Sequence, residues 1–334
     1  MKKVLFLLFL IILATFLVTS YSQERFKNRP FEKTTFSQEG IAQLRKDMTY
    51  MVKTMGPQAA LEAVKDQYRA SDEPIEPHNG AHLFGEVLYD LGGYENIKYC
   101  DDTYEWGCYH GIFTRAMQDV GIDAIEKFFQ TCSELSGKNL LGCQHGIGHA
   151  LGQYFKPSEL VHQLDICSEH GWHGAIGCGG GVFMEYNLSH FFGSGASNAA
   201  PRAANSEDPF YPCFNIPERY KIGCVYRLGE WWLEYIQGDL AQADGYCDKL
   251  PSADLREYCW LGLGQAVTDH FNGDVEHITA DCDKLETYAS KLSCRVGAAW
   301  ALRIADDEES VGRVCTGYET CVGQVGEAQR KLGI

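Results

Sequence analysis

Fourteen cysteines fall into seven close pairs along this chain: Cys100/Cys108, Cys132/Cys143, Cys167/Cys178, Cys213/Cys224, Cys247/Cys259, Cys282/Cys294 and Cys315/Cys321. The first member of each pair recurs at a period near 34 residues, with one longer interval of 46 between Cys167 and Cys213. A period of that length is one helix-turn-helix unit of a helical repeat array. The pairs therefore predict an all-α array of disulfide-linked antiparallel helical hairpins, a solenoid or toroid with a staple in each unit. Ten or eleven residues separate the cysteines of the five middle pairs. A short-turned hairpin brings such positions within the 4.4–6.8 Å Cα separation that a disulfide needs. Nearest-neighbour pairing is the simplest connectivity.

The staples also point to a compartment. Disulfides persist in oxidising surroundings, and the N-terminus agrees. Lys2 and Lys3 precede an apolar run from Val4 to Val18, and Thr19-Ser20-Tyr21-Ser22 follows. This is the pattern of an export signal over residues 1–20. The run is short for a membrane span, which needs about 20 residues. A membrane association is expected only if the segment stays uncleaved. The mature protein is then expected to be periplasmic or extracellular.

Residues 21–36 read as a polar tether, and 37–334 as one α/α-repeat domain. Within it, residues 37–93 should form capping helices. Ile41, Leu44, Met48, Met51 and Met55 share a helical face, Gly56-Pro57 breaks it, and Leu61, Val64 and Tyr68 continue on the next. A third helix is expected after Pro77, ending at Gly92-Gly93. Residues 94–334 form the seven units, each with a first helix ending at its first cysteine and a second opening at or near the other. The stretch 189–212, rich in Gly and Pro, interrupts the pattern and accounts for the long interval. It reads as a lid or a disordered insert. Net charge is −16, from 29 basic and 45 acidic residues, which excludes nucleic acid as a partner.

Aligned on the cysteines, the second helices share a glycine three residues after the second cysteine: Gly111, Gly146, Gly181, Gly262 and Gly297. Arg227 replaces it in the fourth unit. Glycine inside a helix costs about 1 kcal/mol against alanine, so its recurrence predicts close approach of neighbouring helices on an inner layer.

The same alignment finds chemistry. His78-Asn-Gly-Ala-His82-Leu-Phe-Gly85 and His145-Gly-Ile-Gly-His149-Ala-Leu-Gly152 are one H-x-x-x-H motif written twice. Between them, Cys108-Tyr-His110-Gly111 matches Cys143-Gln-His145-Gly146. Residues i and i+4 share a helix face, so each motif can offer two imidazoles to one metal. His78, His82, His110, His145 and His149 are the candidate ligands, with Glu86, one turn past His82, as a carboxylate ligand. Glu185 lies on the next inner helix as a further carboxylate. Imidazole suits zinc, copper or iron. A packed structural role is the competing reading. The later units carry Gly180, Tyr226, Leu261 and Val296 at the equivalent position, a restriction that copying by descent does not predict. The residue after the first histidine is Asn79 or Gly146, so the glutamate base of H-E-x-x-H proteases is missing. His170 and His173 fall in a turn and read as surface residues, and Trp231, Trp232 and Tyr235 read as core.

The period and the one-staple-per-hairpin plan over residues 94–330 resemble secreted Sel1-like and tetratricopeptide-like repeats. The resemblance is architectural and transfers no catalytic residue. It implies a scaffold whose concave face holds a small-molecule, protein or glycan ligand. Two expectations follow: a histidine metal site on the inner face of the first units, serving an enzyme or metal capture, or a non-enzymatic scaffold.

Overall fold

Fifteen α-helices, three short 3-10 turns and no strand make up the described residues of the computed structural model, which cover 38–68, 75–170, 175–188, 208–235, 239–271, 273–305 and 307–332. The proposed signal and tether, most of the insert (189–207) and His173 lie outside them. The first three helices are α1 (Gln38–Met55), α2 (Pro57–Tyr68) and α3 (Ile75–Gly92). Met48, Met51, Leu61 and Val64 are buried between them, as the apolar stripes predict. Helix α3 starts before Pro77 rather than after it, since proline is tolerated in a first turn, where its missing N–H has no helical partner to lose.

The repeats follow as α4 (Gly107–Val120), α5 (Ile125–Cys132), α6 (Gly137–Tyr154), α7 (Leu160–Glu169), α8 (Cys178–Leu188), α9 (Glu218–Tyr235), α10 (Leu240–Asp248), α11 (Ala253–His270), α12 (Val275–Cys282), α13 (Tyr288–Ile304), α14 (Glu308–Val314) and α15 (Cys321–Lys331). Helices α3, α4, α6, α8, α9, α11, α13 and α15 pack each on the next to form an inner layer. The shorter α5, α7, α10, α12 and α14 sit outside. All seven disulfides join the nearest-neighbour pairs, with Cα separations of 5.4–5.6 Å. No described cysteine is free.

Two units depart from the plan. In the first, a 3-10 turn (Tyr94–Tyr99) replaces the outer helix. In the fourth, the described residues before α9 form turns only. Inner helices also open earlier than expected, so the second cysteine sits inside α6, α9, α11 and α13. Side-chain caps set two of these starts: Ser252 accepts from the Leu255 N–H, and Thr287 from the Ser290 N–H.

The glycines do what their spacing predicts. A Cβ on Gly111 would strike the carbonyl oxygen of His82, and one on Gly262 that of Tyr226. The inner helices therefore touch backbone to backbone. Arg227, at the same slot of α9, is buried; its guanidinium pairs with Glu230 and donates to the Ala175 carbonyl. Trp231 and Trp232 are core residues, and the Trp232 indole donates to the Pro209 carbonyl at 2.9 Å.

Candidate metal centre

Three consecutive inner helices converge five imidazoles. Helix α3 carries His78 and His82, α4 carries His110, and α6 carries His145 and His149. The close approach at Gly85 and Gly111 draws α3 onto α4, because either Cβ would enter the facing backbone. His110, His145 and His149 are buried, while His78 and His82 are half-buried. The Nε2 atoms of His78 and His82 are 3.0 Å apart, and those of His145 and His149 are 3.1 Å apart. His82 Nε2 also lies 3.0 Å from His110 Nδ1.

The outer nitrogens are committed elsewhere. His78 Nδ1 meets the Tyr104 carbonyl at 2.9 Å, and His145 Nδ1 meets the Ile176 carbonyl at 2.7 Å. A carbonyl only accepts, so both Nδ1 atoms carry the proton. His149 Nδ1 faces Glu185 Oε1 at 2.8 Å, and Gln153 Nε2 donates to the same oxygen at 2.8 Å. This histidine–carboxylate pairing recurs behind metal-ligating imidazoles, where it fixes the tautomer. With Nδ1 protonated, the His78 and His145 rings turn a lone pair on Nε2 towards the cluster, and His149 does so when the Glu185 carboxylate accepts from its Nδ1.

Protons are a poor remedy for facing lone pairs here. Burial holds His82, His110 and His145 well below the ordinary histidine value, with neighbouring histidines adding to the effect. Burial takes His149 down to about 3 and pushes the Glu185 carboxyl up to about 7. His110 Nε2, Glu185 Oε2 and Gln153 Oε1 are buried and make no hydrogen bond.

Glu86 does not join this group. Its carboxylate is claimed by Arg45 of α1, which removes it from the expected ligand set. Burial pushes its carboxyl up while Arg45 pulls it down. The carboxylate beside the histidines is Glu185, from α8. His170 stacks on Phe129 with ring centres 3.8 Å apart, away from the cluster.

Sequence reasoning missed the Tyr104 carbonyl. Tyr104, Glu105 and Trp106 all adopt left-handed backbone, with φ of 53°, 52° and 60°. Each such non-glycine residue costs about 1–2 kcal/mol. The Cys100–Cys108 staple brackets the segment, and the Tyr104 hydroxyl ties it to the Lys65 carbonyl at 3.1 Å. No glycine or asparagine occupies any of the three left-handed positions. Gln153 was also missed, although it lies one turn beyond His149 on the same face.

The cluster borders a cavity of about 680 Å³. His78, His110 and His145 form part of its wall, with Arg227, Gln265 and Asp269 among the other lining residues. Lys138, in the second unit, donates to the Ile304 carbonyl of α13 at 2.9 Å, so the array bends round until distant units meet. Two overlapping triads, His78/His82/His110 and His110/His145/His149, have donors close enough to hold a metal ion. Their imidazole nitrogens fit zinc, copper or iron. No helix among the described residues is long and apolar enough to cross a membrane. Seven disulfides fit an oxidising, exported environment. No family model, curated protein or solved structure matches the chain.

Proposed function

We propose that this chain is an exported helical-repeat protein that holds a transition-metal ion in the histidine cluster and exposes it to a small molecule entering the cavity. One observation carries the reading: His145 Nε2 and His149 Nε2 face each other at 3.1 Å while the Nδ1 of each is engaged elsewhere, by the Ile176 carbonyl and by Glu185. Facing lone pairs repel unless a cation lies between them or a proton joins them, and burial disfavours the proton. With metal–nitrogen bonds of about 2.0–2.1 Å, tetrahedral donors sit about 3.3 Å apart, near the spacing seen here.

The cavity supports the second half of the reading. Its size falls in the range of small-ligand sites, about 300–1,000 Å³. A bound ion would supply Lewis-acid or redox chemistry to a ligand there. His78, Tyr104 and the His149–Glu185–Gln153 chain would hold the donors in place. The Arg227 guanidinium, paired with Glu230, and the carboxyl of Asp269 offer polar groups to a ligand in the space.

Untagged protein with intact disulfides tests this directly. Elemental analysis after loading with zinc, copper or iron should find near-stoichiometric metal, and His149→Ala should lose at least part of it. Protein that takes up none of the three metals would end the reading.

A further inference from the structure

Five imidazoles exceed what one four-coordinate ion takes, and their donors do not share one site. They form two triads that overlap at His110. The His110 ring centre lies 4.8 Å from that of His82, 5.4 Å from His78, 4.2 Å from His149 and 5.3 Å from His145. It is thus the ring in contact with both helix pairs. Its Nδ1 faces the first triad, 3.0 Å from His82 Nε2. Its Nε2 is buried and makes no hydrogen bond.

We propose that the centre is dinuclear, with His110 bridging two transition-metal ions through its two ring nitrogens. This rests on the metal-binding reading above. One ion takes the Nε2 atoms of His78 and His82 and the Nδ1 of His110. The other takes the Nε2 atoms of His145 and His149 and the Nε2 of His110. The ring holds its first ion through one nitrogen while the other keeps its proton. When the second ion arrives, that N–H bond breaks, its electron pair becomes the new nitrogen–metal bond, and the proton leaves to buffer. Neither ion changes oxidation state. The partnerless Nε2 of His110 is thereby explained, as is the placing of one histidine between two H-x-x-x-H pairs.

The test uses untagged, disulfide-intact protein titrated with copper(II), with copper per chain measured by mass spectrometry and spin counted by electron paramagnetic resonance. Two coppers per chain should bind. The signal should rise towards one equivalent and fall as the second binds, because ions sharing an imidazole ring couple magnetically. His149→Ala should keep one fully visible copper. His110→Ala should make visible every copper it retains. One copper per chain in the parent protein, or two that both stay visible, would overturn the bridge while leaving the metal reading intact. No copper, together with no zinc or iron, would overturn both. If His110→Ala fails to fold, the rise and fall of the parent signal decides alone.

Discussion

The first and last units of this array share a skeleton and differ in what fills one slot. In α4 and α6 the position two residues after the second cysteine holds His110 and His145; in α9, α11 and α13 it holds Tyr226, Leu261 and Val296. All five are buried on the inner layer. The glycine that follows in α4, α11 and α13 makes the same backbone contact at both ends, against His82, Tyr226 and Leu261 respectively. The close packing is therefore a property of the repeat, and the chemistry is a local substitution upon it. A buried slot accepts either an apolar side chain or a polar one with fixed partners. The N-terminal units supply those partners through the Tyr104 and Ile176 carbonyls and Glu185.

The sharpest way to break this comparison is at the histidines. His145→Ala should remove one metal ion per chain, whereas Leu261→Ala, at the equivalent apolar slot, should lower stability by about 2–5 kcal/mol and leave metal content unchanged. Metal analysis beside thermal unfolding reads both. Equal metal loss in the two variants would mean that the slot matters only for packing.

Staple removal comes next. Replacing Cys247 and Cys259 by alanine, or Cys100 and Cys108, should cost about 2–3 kcal/mol in either case by chain-entropy reasoning. Only the second pair brackets the left-handed segment that aims the Tyr104 carbonyl at His78. That variant alone should bind metal more weakly, as competition with a chelator would report.

A smaller effect belongs to the outer partner of His149. Glu185→Gln should weaken metal binding about 10–100-fold, equivalent to about 1.4–2.7 kcal/mol, the usual cost of losing such a support. Glu86→Gln, on α3 one turn past His82, should leave affinity unchanged, since Arg45 holds that carboxylate.

Asp269 gives the smallest expected effect. Burial raises its carboxyl well above the ordinary value, and the charges of Glu105 and Glu230 raise it further. The folded state thus keeps a proton that the unfolded chain releases above about pH 4. Stability contributed by this group falls as pH rises from that point through the raised folded value. Asp269→Asn should gain on the parent protein between pH 4 and 7 and match it below pH 4. The gain should be a few tenths of a kcal/mol, because Asp269 lines the open chamber, surrounded by protein yet reached by water that screens its charge.

The sequence carried the regular parts of the molecule because regularity is a one-dimensional signal. Cysteine spacing announces the hairpins, and glycine at a fixed offset announces helix contact. Aligning on either places His110 and His145 in one slot. What it did not carry were choices made by distant neighbours. Glu86 and Glu185 look alike on paper, both carboxylates on inner helices. Arg45, 41 residues before Glu86, claims one and leaves the other to His149. The left-handed run at Tyr104–Trp106 has no local signature, since residues without special turn preference are held there by tertiary contacts. The early helix starts after Ser252 and Thr287 are set by side-chain caps, which cysteine spacing does not report.

The contact between Lys138 and the Ile304 carbonyl has a consequence for how such a protein can change. An open solenoid gains or loses a unit cheaply, because each unit touches only its neighbours. Here two units 166 residues apart meet, so the number of units between them sets the calibre of the enclosed space. Inserting one would pull that seam open and enlarge the chamber. Divergence in this architecture must therefore proceed by exchanging side chains within a fixed count of units.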